Sequence, residues 1–322
     1  MKHNLKITII LLTMFIVTQF IGIYVVNHYS SVKVINGQIQ NVSSPNLPFG
    51  MTNPEEAKIK CEINSFYDFF SCTQYLYSII IAFIIAIALL FFLMKFNAEF
   101  ILRLWFFVVV AIALGISFNS IIPSKFIYPS LLALVIALPL SFIKIYKRGF
   151  LVHNFTELLI YPGIAAVFVP ILNVYTIIIL LLIISAYDMW AVWHSGIMQK
   201  MAKYQIDKLN LFSGFFIPTI SKSLKKKLKK EKISKLEKGK SKEKKIKVNI
   251  AILGGGDVIF PIITAGVMLR TLGIGSAIFV ILGATLGLGY LLFSAEKKKF
   301  YPAMPFITAG MFLGIVLSYL IF

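Results

Sequence analysis

Apolar residues run through this chain in long blocks, and polar residues collect between the blocks. A bilayer-spanning helix needs about 20 predominantly apolar residues. Nine blocks approach or reach that length: Lys6–Val26, Tyr75–Met94, Phe100–Ile122, Phe126–Ile143, Phe155–Pro170, Val174–Trp193, Val248–Leu269, Leu272–Phe293 and Pro302–Phe322. The pattern predicts an all-α polytopic membrane protein with nine transmembrane helices. The fifth block is the most broken, by Pro162 and Pro170. The first follows Lys2 and Lys6 as a signal peptide would, but it is longer than a signal core. No small-x-small cleavage site follows Val26, so it reads as a retained span. Residues 1–194 thus carry spans one to six with a polar loop over 27–74, residues 195–247 form a second long loop, and residues 248–322 carry spans seven to nine.

Composition agrees: 58% of residues are hydrophobic and 14% charged, which excludes an ordinary soluble chain. The net charge of +19 is local in origin, because seventeen of the 32 Lys and Arg residues fall between Lys200 and Lys247. Such a block in a membrane protein reads as a cytoplasmic loop against anionic lipid head groups, not as a nucleic-acid site. With the N-terminus inside and nine crossings, 27 basic residues lie inside and five outside: Lys33, Lys58, Lys60, Lys125 and Arg270. The expected topology is therefore a cell-membrane protein with a cytoplasmic N-terminus and an extracellular C-terminus. Within the basic loop, Asn210 to Ile220 is apolar but broken by Gly214 and Pro218, and reads as an interfacial segment. Ser221 to Lys247 is nearly all Lys, Glu and Ser, a composition that favours disorder. The outer loop carries turn patterns at Asn46–Gly50 and Asn53-Pro54, and holds Cys61 and Cys72, as a disulfide or as two free thiols. With two cysteines and four scattered histidines, neither a metal site nor a cofactor is expected.

Candidate chemistry rests on two aspartates inside apolar blocks, Asp188 in Ile-Ile-Ser-Ala-Tyr-Asp-Met-Trp and Asp257 in Gly-Gly-Gly-Asp-Val-Ile-Phe-Pro. A charge at bilayer depth costs about 2.5–3.5 kcal/mol by insertion scales, so such residues usually serve function. Counting helical rise from the span ends puts both at roughly 9–14 Å from the cytoplasmic face. Two carboxylates sharing a proton can activate water and protonate a carbonyl oxygen. Gly254, Gly255 and Gly256 permit close backbone approach, or a helix break that admits water and an extended chain. Gly283 with Gly287 and Gly310 with Gly314 read as helix-packing residues. Pro302 and Pro305, with Ala303 and Met304 between, leave backbone groups without helical partners at the start of the last span. Tyr187 either orients the dyad or packs. Glu157 reads as a snorkelling acid at a span end, and His153 and His194 as interfacial structural residues. The same two aspartates would also suit a cation or proton pathway, although no duplicated halves are visible. A non-catalytic scaffold would leave both acids unexplained.

Tyr187-Asp188, Gly254-x-Gly256-Asp257 and Pro302-Ala303-Met304, in this order, resemble the Tyr-Asp, Gly-x-Gly-Asp and Pro-Ala-Leu signatures of the presenilin and signal peptide peptidase family. Nine spans with a long polar loop after the sixth are similar too. The resemblance implies an intramembrane aspartyl protease with Asp188 and Asp257 catalytic. It further implies that Tyr187, Gly254, Gly256, Pro302, Ala303, Met304 and Pro305 shape the site or bind substrate, and that the substrates are transmembrane peptides or proteins. Met304 stands where the family usually has Leu, a near volume-conserving exchange. The short chain, rich in Lys and Ile, looks like a prokaryotic, archaeal homologue that works without obligate protein subunits. Prepilin-type peptidases share Gly-x-Gly-Asp but usually carry a Lys two residues after the aspartate, where this chain has Ile259.

Overall fold

The computed structural model describes residues 5–35, 37–49, 51, 74–96, 99–123, 125–147, 149–195, 213–219, 249–295 and 301–322. Nine α-helices lie among them: α1 Leu5–Tyr29, α2 Gln74–Lys95, α3 Glu99–Ile121, α4 Pro129–Phe142, α5 Phe150–Phe168, α6 Val174–Trp190, α7 Gly255–Leu272, α8 Ile274–Ser294 and α9 Met304–Ile321. Eight of these, all but α2, are long and apolar enough to cross a membrane with their described residues, α4 together with the helical turn after it. They are apolar on every side, as helices must be when one face meets other helices and the rest meets lipid. Cys61, Cys72, Asn53-Pro54 and the stretch Ser221–Lys247 lie outside the described residues.

The helix ends follow from local chemistry. Asn173 and Thr176 form a capping box at α6: the Asn173 side chain accepts from the Thr176 N–H at 2.9 Å, and the Thr176 hydroxyl accepts from the Asn173 N–H at 2.8 Å. Gly273, at φ +94°, turns the chain between α7 and α8, a conformation that favours glycine. A π-helical turn, Ile143–Lys147, extends α4, and another, Ala191–Ser195, extends α6. Pro162 sits within α5 and does not end it, and this helix starts at Phe150, five residues before the expected Phe155.

Helix α1 packs on α5 and α7, α3 on α4 and α5, α6 on α7 and α9, and α8 on α7 and α9. The largest buried cluster joins α1, α5, α6, α7, α8 and α9, with Phe15, Ile177, Leu181, Ile262, Met268, Ile281 and Ile307 fully enclosed. The expected packing role of the small residues in α8 and α9 is visible. A Cβ added at Gly283 would strike the Gly310 carbonyl, and one at Gly310 the Gly283 carbonyl. Backbones approach this closely only where side chains are absent. Arg270, counted above as an outer-loop cation, is instead buried in the last turn of α7, its Nη1 donating to the Val169 carbonyl at 2.9 Å.

Two antiparallel ribbons stand outside the helical plan. Strands β1 (Val32–Ile35) and β2 (Gln38–Asn41) form a hairpin with Gly37 at φ +75°. Strands β3 (Gly214–Thr219) and β4 (Asn249–Gly254) pair from Gly214↔Gly254 to Thr219↔Asn249. This second ribbon gives one expected segment its form and corrects another. The apolar stretch within Asn210–Ile220, expected at the interface, is a strand from Gly214 to Thr219. The seventh helix begins at Gly255 and not at Val248. The local reason is that Asn-Ile-Ala-Ile-Leu-Gly is as good a strand as a helix start, and its partner across the long loop decides for the strand.

Candidate active site

Asp257 is placed by the passage from strand to helix. Gly254 closes β4 and is the N-cap of α7, with extended backbone angles of φ −64° and ψ 148°. Asp257 is the third residue of the helix, and its carboxylate folds back onto the Gly254 backbone amide. An acid at this position reaching to the N-cap N–H is half of a capping box. A Cβ on Gly254 would lie 3.1 Å from Asp257 Oδ2, so a bare backbone leaves the carboxylate its seat. The depth argument made from helical rise therefore fails in its premise. Of the eight residues between Val248 and Asp257, only Gly255 and Gly256 are helical, and Asn249–Gly254 are extended.

The three glycines differ. A Cβ on Gly255 would lie 2.7 Å from the Tyr161 hydroxyl and 2.8 Å from Ser213 Oγ. One on Gly256 would meet nothing nearer than a Phe260 ring carbon at 4.0 Å. Gly256 is exposed beside Asp257, and Gly255 is the packed residue.

Asp188 lies in the last turn of α6, half-buried. Its Oδ2 accepts the backbone N–H of Met304 at 3.1 Å, with the Ala303 amide beside it. Met304 is the first residue of α9, so the carboxylate fills a place that no helical carbonyl can fill. One helical turn deeper, the Ser185 hydroxyl donates to the Thr308 hydroxyl at 2.8 Å, with both side chains buried. These two bonds fix α6 to α9 and hold Asp188 against the Pro302–Pro305 segment. Pro302 and Met304 are buried, and Ala303 and Pro305 half-buried. The Tyr187 ring sits next to Trp190 at 6.3 Å between centroids and is 39% exposed.

Asp188 and Asp257, brought together by the packing of α6 on α7, are near enough for the charge of one to act on the other. Each also faces a helix N-terminus, where backbone N–H groups favour negative charge. Among the described residues no group of three or more His, Cys, Asp or Glu is placed to hold a metal ion. The two carboxyl groups thus lie among three helix ends, the last turn of α6 and the starts of α7 and α9, with Gly256 exposed beside them. The family model for signal-peptide peptidase and presenilin aspartyl proteases matches residues 51–322. The chain belongs to that family. It is a multi-span membrane protein and an intramembrane aspartyl protease of the presenilin type.

Two solved structures carry the same fold. One is described as a presenilin family intramembrane aspartate protease in space group C222. It has a TM-score of 0.58 and 16% identity, and covers 98% of this chain and 99% of its own. The other, described in the same words in space group P2, has a TM-score of 0.57 and 16% identity, and covers 97% of each. No curated protein sequence matches the chain.

Two residues beside Asp257 carried no reading in the sequence, Gln19 and Tyr161. Gln19 of α1, fully buried, donates from Nε2 to the Val258 carbonyl at 3.0 Å, one residue after Asp257. A lone Gln in an apolar block was the available clue. Tyr161 of α5, also buried, lies under Gly255. Glu157, expected to snorkel, is instead 1% exposed and ion-paired to Lys144 of the π-helical turn, with His153 Nε2 3.5 Å away. His153 is buried as well and bonds to β3.

Proposed function

We propose that Asp188 and Asp257 form the catalytic dyad of an endopeptidase that cuts within or near transmembrane segments of membrane proteins or signal peptides. The observation that carries this reading is the meeting of two acids from separate helices at one opening, each seated on the backbone of a helix start. In the reaction, the ionised carboxylate takes a proton from water while the water oxygen bonds to the scissile carbonyl carbon. The protonated carboxyl gives its proton to the carbonyl oxygen. Collapse of the resulting gem-diol breaks the C–N bond: one diol hydroxyl returns its proton to the ionised carboxylate while the departing nitrogen takes the proton held by the other, which restores the singly protonated dyad. The two acids titrate as a pair, so the roles of acid and base belong to the pair.

Gly254 and Gly256 leave room for an unwound chain, and Pro302, Ala303, Met304 and Pro305 border it. Tyr187 shields the opening. Backbone groups of Ile252 face away from β3 in the antiparallel alternation, which supports strand-like seating of substrate next to Asp257. The protein sits in the cell membrane with its N-terminus cytoplasmic and its C-terminus outside. The basic loop lies on anionic lipid, and no partner subunit is required.

The test is turnover of a labelled single-span peptide by purified protein. Asp188→Ala and Asp257→Ala should each remove all cleavage while the protein remains folded, because a dyad needs both members. Cleavage by either single variant would end the dyad reading. A cation pathway would instead show variants that lose ion flux in vesicles while no peptide is ever cut. Labelling of introduced cysteines from either side of sealed vesicles checks the orientation.

A further inference from the structure

We propose that His153 and Asn154 of α5 are positioning residues for Asp257, acting through the backbone of β3. The proposal rests on the reading of Asp257 as catalytic. In an antiparallel pair, the backbone groups of successive residues point alternately toward the partner strand and away from it. Gly214 and Phe216 share one parity of β3, and helix α5 takes up the backbone groups of both. His153 Nε2 lies 2.9 Å from the Gly214 carbonyl oxygen. Because a carbonyl only accepts, Nε2 carries the proton. Asn154 Nδ2 donates to the Phe216 carbonyl at 3.0 Å, and the Phe216 N–H donates to Asn154 Oδ1 at 3.2 Å. The Asn154 carboxamide thus stands where a neighbouring strand would place a peptide group.

The other edge of β3 holds β4, and the pairing ends at Gly214↔Gly254. Gly254 is the residue against which the Asp257 carboxylate lies, since a Cβ built there would stand 3.1 Å from Asp257 Oδ2. Gly214, held by His153, is therefore the register partner of the seat of Asp257. The anchor itself is firm. His153 and Asn154 are buried, the Phe216 ring packs on the rings of Phe150 and His153 at 5.4 and 4.8 Å, and the Glu157–Lys144 ion pair ties this face of α5 to the turn after α4. A role confined to satisfying a buried strand edge would affect stability alone. A positioning role also moves the carboxylate when the anchor is cut.

The experiment uses purified full-length protein, with amide hydrogen exchange and peptide kinetics read on the same samples. Asn154→Leu keeps the volume and removes both bonds. Exchange should quicken over residues 213–219 and 249–257 and stay unchanged in α8 and α9. Turnover should fall about tenfold or more with KM within about twofold, since small misplacements of a catalytic group cost rate first. His153→Gln, which retains a donor for the Gly214 carbonyl, should stay near wild type, and His153→Phe should behave like Asn154→Leu. If Asn154→Leu does not fold, the His153 pair gives the same comparison. Active wild-type protein with Asn154→Leu or His153→Phe at full turnover would overturn this proposal alone. Wild-type protein that cuts no peptide and matches Asp257→Ala would overturn the dyad reading and this proposal with it.

Discussion

Gly255 has no room for a methyl group, because the Tyr161 hydroxyl and Ser213 Oγ stand where its Cβ would go. Gly256, one residue on, has space around it. The two substitutions should therefore part. Gly255→Ala should push the first turn of α7 off the buried Tyr161, and Asp257 with it, so peptide turnover should drop about tenfold or more, as expected for a displaced catalytic group. Gly256→Ala should melt as wild type does, and any loss should appear in KM for bulky peptides. Equal turnover by wild type and Gly255→Ala would show that Tyr161 yields and that the packing is not what seats Asp257. The carboxyl pair makes its own prediction for pH. One group must be ionised and the other protonated, so rate should fall at acid pH, where both are protonated, and at alkaline pH, where both are ionised. A rate that rises to a plateau with no second limb would argue for a single titrating acid. At this scale the sequence was a good guide to which residue types mattered and a poor one to their division of labour. Three adjacent glycines looked alike until Tyr161, almost a hundred residues earlier, was seen to pack on the middle one.

Elements tell a different story, because the nine helices were legible and the ribbons were not. Apolar length alone predicts a spanning helix, since lipid imposes one backbone solution on every such block. Strands β3 and β4 are separated by residues 220–248, and each reads locally as something else. Pro218 speaks against a strand, and Asn249–Gly254 merges into the apolar run of α7. Asn36-Gly37 between β1 and β2 was a readable hairpin dipeptide that the span-based reading overlooked. Long-range pairing also explains Glu157, which looked like a span-end acid because its partner Lys144 lies on another helix. That ion pair is buried on both sides, so cutting one member should cost about 3–5 kcal/mol. Glu157→Ala and Lys144→Ala should each lower stability in denaturant titration, and Lys144→Met with Glu157→Leu together should recover most of it. Single variants as stable as wild type would mean that water reaches the pair. Between α6 and α9, Ser185→Ala should lower turnover more than stability, because Asp188 lies one turn away on the same contact.

For the whole molecule, the ribbon turns the basic loop from a connector of two helical groups into a closed excursion. Thr219 and Asn249 are register partners, so the chain leaves the site and re-enters it at neighbouring points. Opposed residues in an antiparallel pair have Cα atoms about 4.5–5.5 Å apart, a gap that a two-residue turn can bridge. Among the described residues, the backbone amides that seat Asp188 and Asp257, those of Met304 and Gly254, both lie outside residues 220–248. Replacing 220–248 by Asn-Gly should then leave β3, β4 and peptide turnover in detergent near the wild-type level. Binding to vesicles that contain anionic lipid should weaken and lose its salt dependence, because the loop supplies most of the clustered positive charge. The two readouts separate chemistry from membrane contact. A shortened protein that melts normally but cuts nothing would show that the excursion gates the dyad. One that cuts normally in detergent, but slowly in anionic vesicles where the full chain is fast, would place the role of the loop at the lipid surface.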